Sequence, residues 1–189
     1  MTHSIMLENI GCLITESSSG LEYKSDTSLL LKGDCIESIG SGSADTIIDC
    51  KGKLVTPGFV DSHTHLIFND LRTEEHQMRL SGATYEEIAN NGGGIVSSVE
   101  SVQSATPKEL FNIAIPRLDR FISMGTTTIE AKSGYGLNIE SELKSLKVIN
   151  KLSEKHPIDI IPTFMGAHAF PVEYENKKDA YVDLVINEM

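Results

Sequence analysis

Short apolar runs separated by turn residues fill the first 57 residues of the chain. Two of these runs, SIMLENIGCLIT and TSLLLKGDCIESIG, have the residue types and the short length that are typical of β-strands. The breaks between runs are rich in Ser and Gly, and Gly33-Asp34 between two apolar runs indicates a tight turn. The pattern predicts a small all-β domain over residues 1–57.

The pattern changes after Pro57-Gly58, where strand-like and helix-like stretches begin to alternate. FVDSHTHLIF, TTTIEAK and IDIIPTFMGAHAF predict three strands, the last of which reaches His168. Stretches with apolar residues at helical spacing lie between and after them. This order predicts parallel α/β structure with right-handed crossovers over residues 58–189.

Helix boundaries are indicated by capping residues and by proline. Thr106-Pro107 predicts a helix start, with an N-cap followed by proline at the first helical position, and Asn138 predicts a second cap. Pro116 lies inside the first of these helices and is expected to kink or split it near Asn112.

The polar stretch 70–90 also has helical spacing. The helix after Asn138 is expected to face the core with its apolar residues Leu143, Leu146, Ile149 and Leu152.

Strand–helix alternation of this kind fits either an open doubly wound sheet or a (β/α)8 barrel. A barrel usually needs about 250 residues, and residues 59–189 are enough for roughly three β/α units. If the fold is a barrel, the chain therefore contains only its first part.

Composition and charge argue against a nucleic-acid-binding protein, a membrane protein and a secreted disulfide-rich protein. The chain has 189 residues and a formal net charge of −11, which argues against a nucleic-acid partner. It has no apolar run long enough to span a membrane, and its N-terminus lacks the pattern of a signal peptide. Cys12, Cys35 and Cys50 are odd in number and widely spaced, which is typical of reduced thiols rather than of a disulfide framework or a zinc knuckle. We expect a cytoplasmic protein without nucleic-acid or membrane partners.

His63 and His65 are the first candidates for chemistry. Side chains alternate along a strand, so both histidines should point the same way, together with Asp61. Two neutral imidazoles that project from one face of a strand, two residues apart, suit zinc or iron as ligands. Asp61 is expected instead to support the strand or to orient a ligand histidine. The alternative for the histidines is a pair satisfied by hydrogen bonds at the mouth of a barrel.

Further polar residues follow the predicted strand ends. Arg72 follows the first strand, Glu130 and Lys132 end the second and Tyr135 comes after it, and His168 ends the third. In parallel α/β folds the reactive groups gather at these C-terminal ends, so we expect the side chains to lie close together. Glu130 and Lys132 should share one face, where a structural ion pair and a functional role are equally good interpretations.

Longer blocks of the sequence resemble a known family. VTPGFVDSHTH resembles the strand-one signature P-G-h-h-D-x-H-x-H of the amidohydrolase superfamily, and RLSGATYEEIANNGGGI, TTTIEAKSGYGL and PTFMGAHAFPVEY are similar to its imidazolonepropionase family. The resemblance implies an α/β fold, the (β/α)8 TIM barrel of the metal-dependent hydrolases, with only about the first three β/α units present. It also implies that residues 1–57 are the N-terminal part of a small β-sandwich and that residues 58–189 begin the barrel.

The resemblance further implies an activity and a set of roles. His63 and His65 would bind one metal ion, Zn²⁺ or Fe³⁺, while Arg72, Tyr135 and His168 would bind the substrate. The family hydrolyses the cyclic amide of 4-imidazolone-5-propanoate to N-formimidoyl-L-glutamate in histidine degradation. The segment FNDLRTEE replaces the glycine pair that the family has before the arginine.

The same resemblance assigns no general base to this chain. Family members are about twice as long, and the resemblance implies that their second half holds the remaining metal ligands and the general base. We therefore expect the general base to lie beyond Met189, and we expect the 189-residue chain alone to be inactive.

Two other functions stay open on the sequence alone. The chain could belong to another amidohydrolase, such as a deaminase or a different cyclic amidase. It could also be a non-catalytic half-barrel that binds a metal or a partner chain. A half-open barrel exposes strand edges and apolar surface, so a homo-oligomer is possible in that case.

Overall fold

The computed structural model describes residues 2–90 and 93–189, which divide into two compact units between Gly58 and Phe59. The strands of the first unit are Ser4–Ser17 (β1), Gly20–Lys32 (β2), Cys35–Ile39 (β3), Thr46–Asp49 (β4) and Leu54–Val55 (β5). They form one sheet of order β3-β2-β1-β4, in which β5 also pairs with β1.

The strands of the first unit pair as the turn signals predict. β1 pairs antiparallel with β2, and β2 pairs antiparallel with β3 across a turn that contains Gly33 at φ 59°. Ile10, Leu13 and Leu29 form the buried centre of this sheet. The described strands of this unit make up a single sheet, so the β-sandwich stays a prediction.

The second unit alternates strands and helices. Its strands are Phe59–Thr64 (β6), Thr126–Lys132 (β7) and Asp159–Thr163 (β8). Its helices are Thr73–Leu80 (α1), Tyr85–Asn90 (α2), Ile95–Ser104 (α3), Pro107–Ser123 (α4), Ile139–Lys155 (α5) and Lys178–Asn187 (α6). Two short 3-10 turns, Gly166–His168 and Val172–Tyr174, follow β8.

The three strands of the second unit form a parallel sheet of order β6-β7-β8. Along β7, Ile129 and Ala131 are fully buried, whereas the alternate residues Glu130 and Lys132 are partly exposed. Helices α4 and α5 pack on the side of the sheet to which Ile129 points. The main core of this unit consists of Leu66, Ile67, Val102, Ala105, Leu110, Ala114, Leu118, Ile129, Ala131, Val148, Ile149, Leu152, Ile158 and Ile160.

The predicted caps are present at the starts of α4 and α5. Thr106 and Glu109 form a capping box, in which each side chain accepts a hydrogen bond from the other residue's backbone N–H. Asn138 Oδ1 accepts a hydrogen bond of 2.8 Å from the backbone N–H of Ser141. The expected split at Pro116 is wrong, because α4 continues through it. Pro116 lies on the exposed side of the helix, where water can satisfy the backbone carbonyl that loses its partner.

Other helix predictions need correction. The stretch 70–90 forms two helices rather than one, separated at Gly82, whose φ of +95° ends α1. Helix α3 was not predicted: Ile95, Val99 and Val102 do have helical spacing, but serine and β-branched residues, which have low helix propensity, make up most of its sequence. Leu143 is 42% exposed, because α5 turns Glu142 and Ser145 towards the core instead.

Among the described residues, no helix has the length and apolar character needed to cross a membrane.

Candidate metal and substrate site

His63 and His65 lie at the C-terminal end of β6, which ends at Thr64. Their ring centroids are 5.8 Å apart and the ring planes meet at 72°. The pairing of β6 with β7 is irregular between Asp61 and Thr64, where three steps along β6 match two along β7. The regular alternation that predicts one shared face for Asp61, His63 and His65 is therefore interrupted here, although the two histidine rings lie next to each other. Asp61 Oδ1 instead accepts a hydrogen bond of 3.2 Å from the backbone N–H of His63.

His65 is the more enclosed of the two histidines. Both of its ring nitrogens are buried, and neither has a hydrogen-bond partner in the part of the chain that the structure describes. The pKa of His65 is lowered from 6.5 to about 4, with burial as the largest cause and electrostatic repulsion from His168 and His63 as smaller ones, while a backbone interaction with Ser133 acts in the opposite direction. At neutral pH the ring is therefore uncharged, which is the form in which imidazole binds a metal ion.

Tyr135 and His168 reach the same place from the loops that follow β7 and β8. The His168 ring is stacked on that of His65, with centroids 4.5 Å apart and planes inclined by 20°. The centroid of the Tyr135 ring lies 4.9 Å from that of the His65 ring and 5.3 Å from that of the His168 ring. The structure thus brings His63, His65, Tyr135 and His168 together. It places His168 in a 3-10 turn rather than on the strand, because β8 already ends at Thr163.

The orientation of the His168 ring is set by a backbone carbonyl. Nδ1 of His168 lies 3.1 Å from the carbonyl oxygen of Gly134. Since a carbonyl oxygen only accepts hydrogen bonds, Nδ1 must carry the proton, and the lone pair of the neutral ring is then on Nε2.

Glu130 and Lys132 form the ion pair that the sequence predicts. Lys132 Nζ donates to Glu130 Oε1, and Thr163 Oγ1 donates to the same oxygen at 2.7 Å. The hydrogen bond from Lys132 is the largest cause that lowers the pKa of Glu130, followed by that from Thr163, with smaller contributions from the charges of Lys132 and His63. The pair is therefore held structurally across β7 and β8, and any role in catalysis stays a prediction.

Arg72 is not brought to this cluster. It is exposed, precedes α1, and makes an ion pair of 3.6 Å with Glu75. Within residues 2–90 and 93–189, no hydrogen bond, ion pair or ring contact joins Arg72 to His63, His65, His168 or Tyr135.

A different arginine, Arg117, was missed in the sequence although it contacts the chain next to His65. It donates to the backbone carbonyls of Leu66 (3.0 Å) and Phe68 (2.7 Å), and its guanidinium lies 3.4 Å from the centroid of the Phe68 ring. Burial lowers the pKa of Arg117. His65 and Arg117 both line a cavity of about 470 Å³. An arginine that directly follows Pro116 among the apolar residues of α4 carries no sequence signal for this contact.

The donor set fits part of a metal site. His65 has two buried ring nitrogens without partners, and His63 lies next to it, so one ion with metal–nitrogen bonds of about 2.0–2.1 Å could contact both rings. Among the described residues, no group of three or more His, Cys, Asp or Glu side chains is arranged to hold a metal ion. The two histidines therefore fit as two ligands of a larger set. Cys12, Cys35 and Cys50 are free thiols.

The last residue of the chain, Met189, has a packing role. It lies against the small apolar cluster of Val99, Leu137 and Tyr181, and its backbone N–H donates to the carbonyl of Leu184 at 3.1 Å. A thioether cannot transfer a proton, so Met189 is no candidate for the general base. The expectation that the general base lies beyond Met189 stays a prediction.

Comparisons with known proteins identify the same family as the sequence motifs. Residues 46–135 match the sequence profile of the amidohydrolase family. The chain is 59% identical over 143 residues to an imidazolonepropionase of Brevibacillus brevis, covering 76% of this chain and 34% of that protein. It is 48% identical over 170 residues to an imidazolonepropionase of Alkaliphilus metalliredigens, covering 85% of this chain and 40% of that protein. The resemblance to imidazolonepropionase is thus confirmed, and the chain spans well under half the length of these relatives.

A solved structure supports the fold. The zinc complex of atrazine chlorohydrolase from Arthrobacter aurescens TC1 matches with a TM-score of 0.59 and 15% identity, over 98% of this chain and 43% of that one. At this identity the match concerns the fold alone. It confirms the expected mixed α/β architecture.

Proposed function

We propose that this chain supplies the first two metal ligands and three substrate-binding residues of a metal-dependent hydrolase of histidine degradation. The reaction is the opening of the imidazolone ring of 4-imidazolone-5-propanoate to N-formimidoyl-L-glutamate. The observation that carries the proposal is the cluster of His63, His65, Tyr135 and His168 at the ends of three parallel strands, in a chain 46–59% identical to imidazolonepropionases.

The proposal includes the finer architecture. The strands β6, β7 and β8 with their helices are the first three units of a (β/α)8 TIM barrel, and residues 1–57 are part of a small β-sandwich. The parallel order β6-β7-β8 and the gathering of the site at the strand ends support the barrel. We also place the enzyme in the cytoplasm, since its three cysteines are free thiols, and a homo-oligomer is compatible with the open sheet edges.

In this proposal His63 and His65 hold the metal ion, Zn²⁺ or Fe³⁺. Such an ion supplies a water molecule with a pKa of about 7 and polarises a carbonyl group. His65 is suited to this role because it is uncharged and its ring nitrogens have no other partner among the described residues. Asp61 fixes the backbone of His63. The remaining metal ligands and the general base would come from residues beyond Met189.

The other residues bind and orient the substrate. Tyr135 packs beside His65, and a flat imidazolone ring would be positioned against its aromatic face. His168 presents Nε2 with a lone pair, which can accept a hydrogen bond from a ring N–H of the substrate. Arg72 has the planar guanidinium that binds a carboxylate with two parallel hydrogen bonds, so the propionate group is its natural partner. To bind it, Arg72 must exchange Glu75 for the substrate carboxylate.

Binding provides the decisive test, because two imidazoles fall short of the three protein ligands that catalytic zinc sites use. Zn²⁺ and Fe³⁺ are titrated separately into the metal-free protein, followed by 4-imidazolone-5-propanoate, while NMR follows the His65, Tyr135 and His168 side chains. We expect metal binding that is lost in His65→Asn but kept in His76→Asn, a histidine of α1 outside the cluster. We expect the substrate to shift the Tyr135 and His168 signals. Mass spectrometry for N-formimidoyl-L-glutamate reports any turnover.

Two results would replace this proposal with its alternatives. Shifts at Tyr135 and His168 with cytosine, guanine or dihydroorotate, and none with 4-imidazolone-5-propanoate, would identify a different amidohydrolase. Metal binding with no response to any of these compounds, together with a stable stoichiometric complex of the chain with itself, would identify a binding half-barrel.

A further inference from the structure

Glu142 is a buried carboxyl group that the proposed reaction does not use. It lies in the first turns of α5 and is 1% exposed. A carboxylate in the interior is costly unless it is hydrogen-bonded, so its partners indicate why it is tolerated there.

The partners of Glu142 are backbone N–H groups of the loop that carries Tyr135. Its Oε1 accepts from Gly136 at 2.7 Å and from Leu137 at 2.9 Å. The N–H of Gly134 donates to both oxygens, at 3.2 Å to Oε1 and 3.0 Å to Oε2. Three N–H groups of one short loop therefore converge on a single side chain. Hydrogen bonds to a carboxylate are among the stronger ones in proteins.

The loop adopts a backbone that would not persist without such support. Leu137 has φ 51°, in the left-handed region that is unfavourable for residues other than glycine, and Gly134 has φ 112°. Gly136 passes so close to α5 that a Cβ there would lie 2.5 Å from the backbone nitrogen of Glu142. The contacts of Glu142 thus hold the loop in a strained and closely packed conformation.

The same loop determines the positions of two proposed substrate-binding residues. Tyr135 lies between two of the N–H groups that Glu142 holds. The carbonyl of Gly134 accepts the hydrogen bond that sets the tautomer of His168, and a Cβ on Gly134 would lie 2.8 Å from that of His168. A shift of the Gly134 peptide group would therefore release the His168 ring as well as Tyr135.

We infer that Glu142 is the positioning residue of this site: its carboxylate holds the loop 133–138 and so sets the placement of Tyr135 and the Nδ1–H tautomer of His168. This inference rests on the proposed function only in treating Tyr135 and His168 as substrate-binding residues. The positions and the tautomer can be measured without substrate, metal or turnover, so its failure is distinguishable from failure of the proposed function.

The test compares Glu142→Gln with two matched controls by NMR of the metal-free protein at one alkaline pH. Glu140→Gln removes the same charge from a residue in the same helical turn that is not buried. Val148→Ala shortens a buried side chain of the same helix and destabilises the fold while leaving every hydrogen bond from the loop to Glu142 in place. The measurements are the ¹⁵N shifts of the His168 ring, contacts of the Tyr135 ring with His65 and His168, and hydrogen exchange of the Gly134, Gly136 and Leu137 amides.

We expect Glu142→Gln to speed exchange of these three amides by about 10-fold or more, since an amide oxygen is a weaker acceptor than a carboxylate. We expect the His168 ring to change from a single Nδ1–H tautomer to a mixture, and the contacts of Tyr135 with His65 to weaken. Both controls should keep the wild-type tautomer and the Tyr135 contacts.

An unchanged tautomer and unchanged ring contacts in Glu142→Gln would overturn the inference, and so would the same changes in Val148→Ala at equal loss of stability. If Glu142→Gln does not fold, Glu142→Asp decides by the same measurements, since it keeps the carboxylate but withdraws it by one methylene from the loop.

Discussion

Two stretches of the second unit supply substrate-binding residues to the proposed site but are held very differently. The Arg72 segment, residues 69–90, consists of α1, α2 and their connections, and α1 buries no residue. The Tyr135 segment, residues 107–155, contains α4, β7 and α5 and supplies most of the core. Leu80 and Tyr85 of the first are 77% and 60% exposed, whereas Leu118 and Ile149 of the second are fully buried.

The difference shows that local sequence signals are enough to form helices but not to hold them in place. Both segments have a capping box, Thr84 with Glu87 and Thr106 with Glu109. Only the second is also packed against a sheet. We therefore expect the site to have a rigid side, formed by Tyr135, and an adaptable side, formed by Arg72. An adaptable arginine is suited to exchanging Glu75 for a substrate carboxylate.

The largest contrast between the segments is expected at two glycines. Gly136→Ala places a Cβ 2.5 Å from the backbone of Glu142, which cannot move aside, and should lower the free energy of unfolding by about 3 kcal/mol. Gly82→Ala meets no atom within 4 Å and should cost only about 1 kcal/mol, from its φ of +95°. Urea unfolding followed by circular dichroism measures both. Equal losses would show that the loop of Tyr135 is no more tightly packed than the end of α1.

A second contrast concerns two arginines. Arg117→Gln removes two hydrogen bonds to backbone carbonyls and the packing on Phe68, and should lower the free energy of unfolding by about 2 kcal/mol. Arg72→Gln breaks only a surface ion pair and should change it by less than about 0.5 kcal/mol. The effect of Arg72→Gln should appear instead as weaker binding of 4-imidazolone-5-propanoate in a titration. A large loss of stability in Arg72→Gln would contradict the adaptable side of the site.

Acid should distinguish the histidine cluster of the site from the Arg72 segment. The pKa of His65 is lowered from 6.5 to about 4, so the folded state binds this proton more weakly than the unfolded chain. The corresponding stability is present above about pH 6.5 and is lost as the pH falls towards 4, by about 1–2 kcal/mol in the metal-free protein. His65→Asn should remove this dependence, whereas His76→Asn, in α1, should not. Unfolding at several pH values in the presence of a chelator provides the measurement.

The smallest contrast is expected at the two caps. Thr106→Ala should lower the free energy of unfolding by about 1 kcal/mol, since α4 is part of the core. Thr84→Ala removes the same type of cap from the six-residue helix α2, which can open locally. It should speed hydrogen exchange of the α2 amides while leaving the urea midpoint nearly unchanged. A shift of the midpoint as large as that of Thr106→Ala would show that both segments unfold together.

The features that the sequence predicted depend on neighbours along the chain. The caps at Thr106 and Asn138, the turn at Gly33 and the three strands of the second unit follow from backbone preferences and local hydrogen bonds. The sequence also predicts that the residues around the site lie together, because parallel strands bring their C-terminal ends to one edge. His63, His65, Tyr135 and His168 do meet there, although no period in the sequence reveals the irregular pairing of β6 that orients the first two.

Only the tertiary structure decided which side chains hold these residues in place. Glu142 and Arg117 are charged, so rules based on hydrophobicity place them in water, yet both are buried or half-buried against backbone groups of the site. Their partners lie in loops whose carbonyl and N–H groups have no sequence signature. Backbone polar groups are the same at every position. The sequence by itself therefore determined most of the strands and helices and the chemical groups of the site, but not the contacts that its loops make. The tertiary structure then decided which backbone N–H and carbonyl groups of the loops lie within hydrogen-bond distance of Glu142 and Arg117.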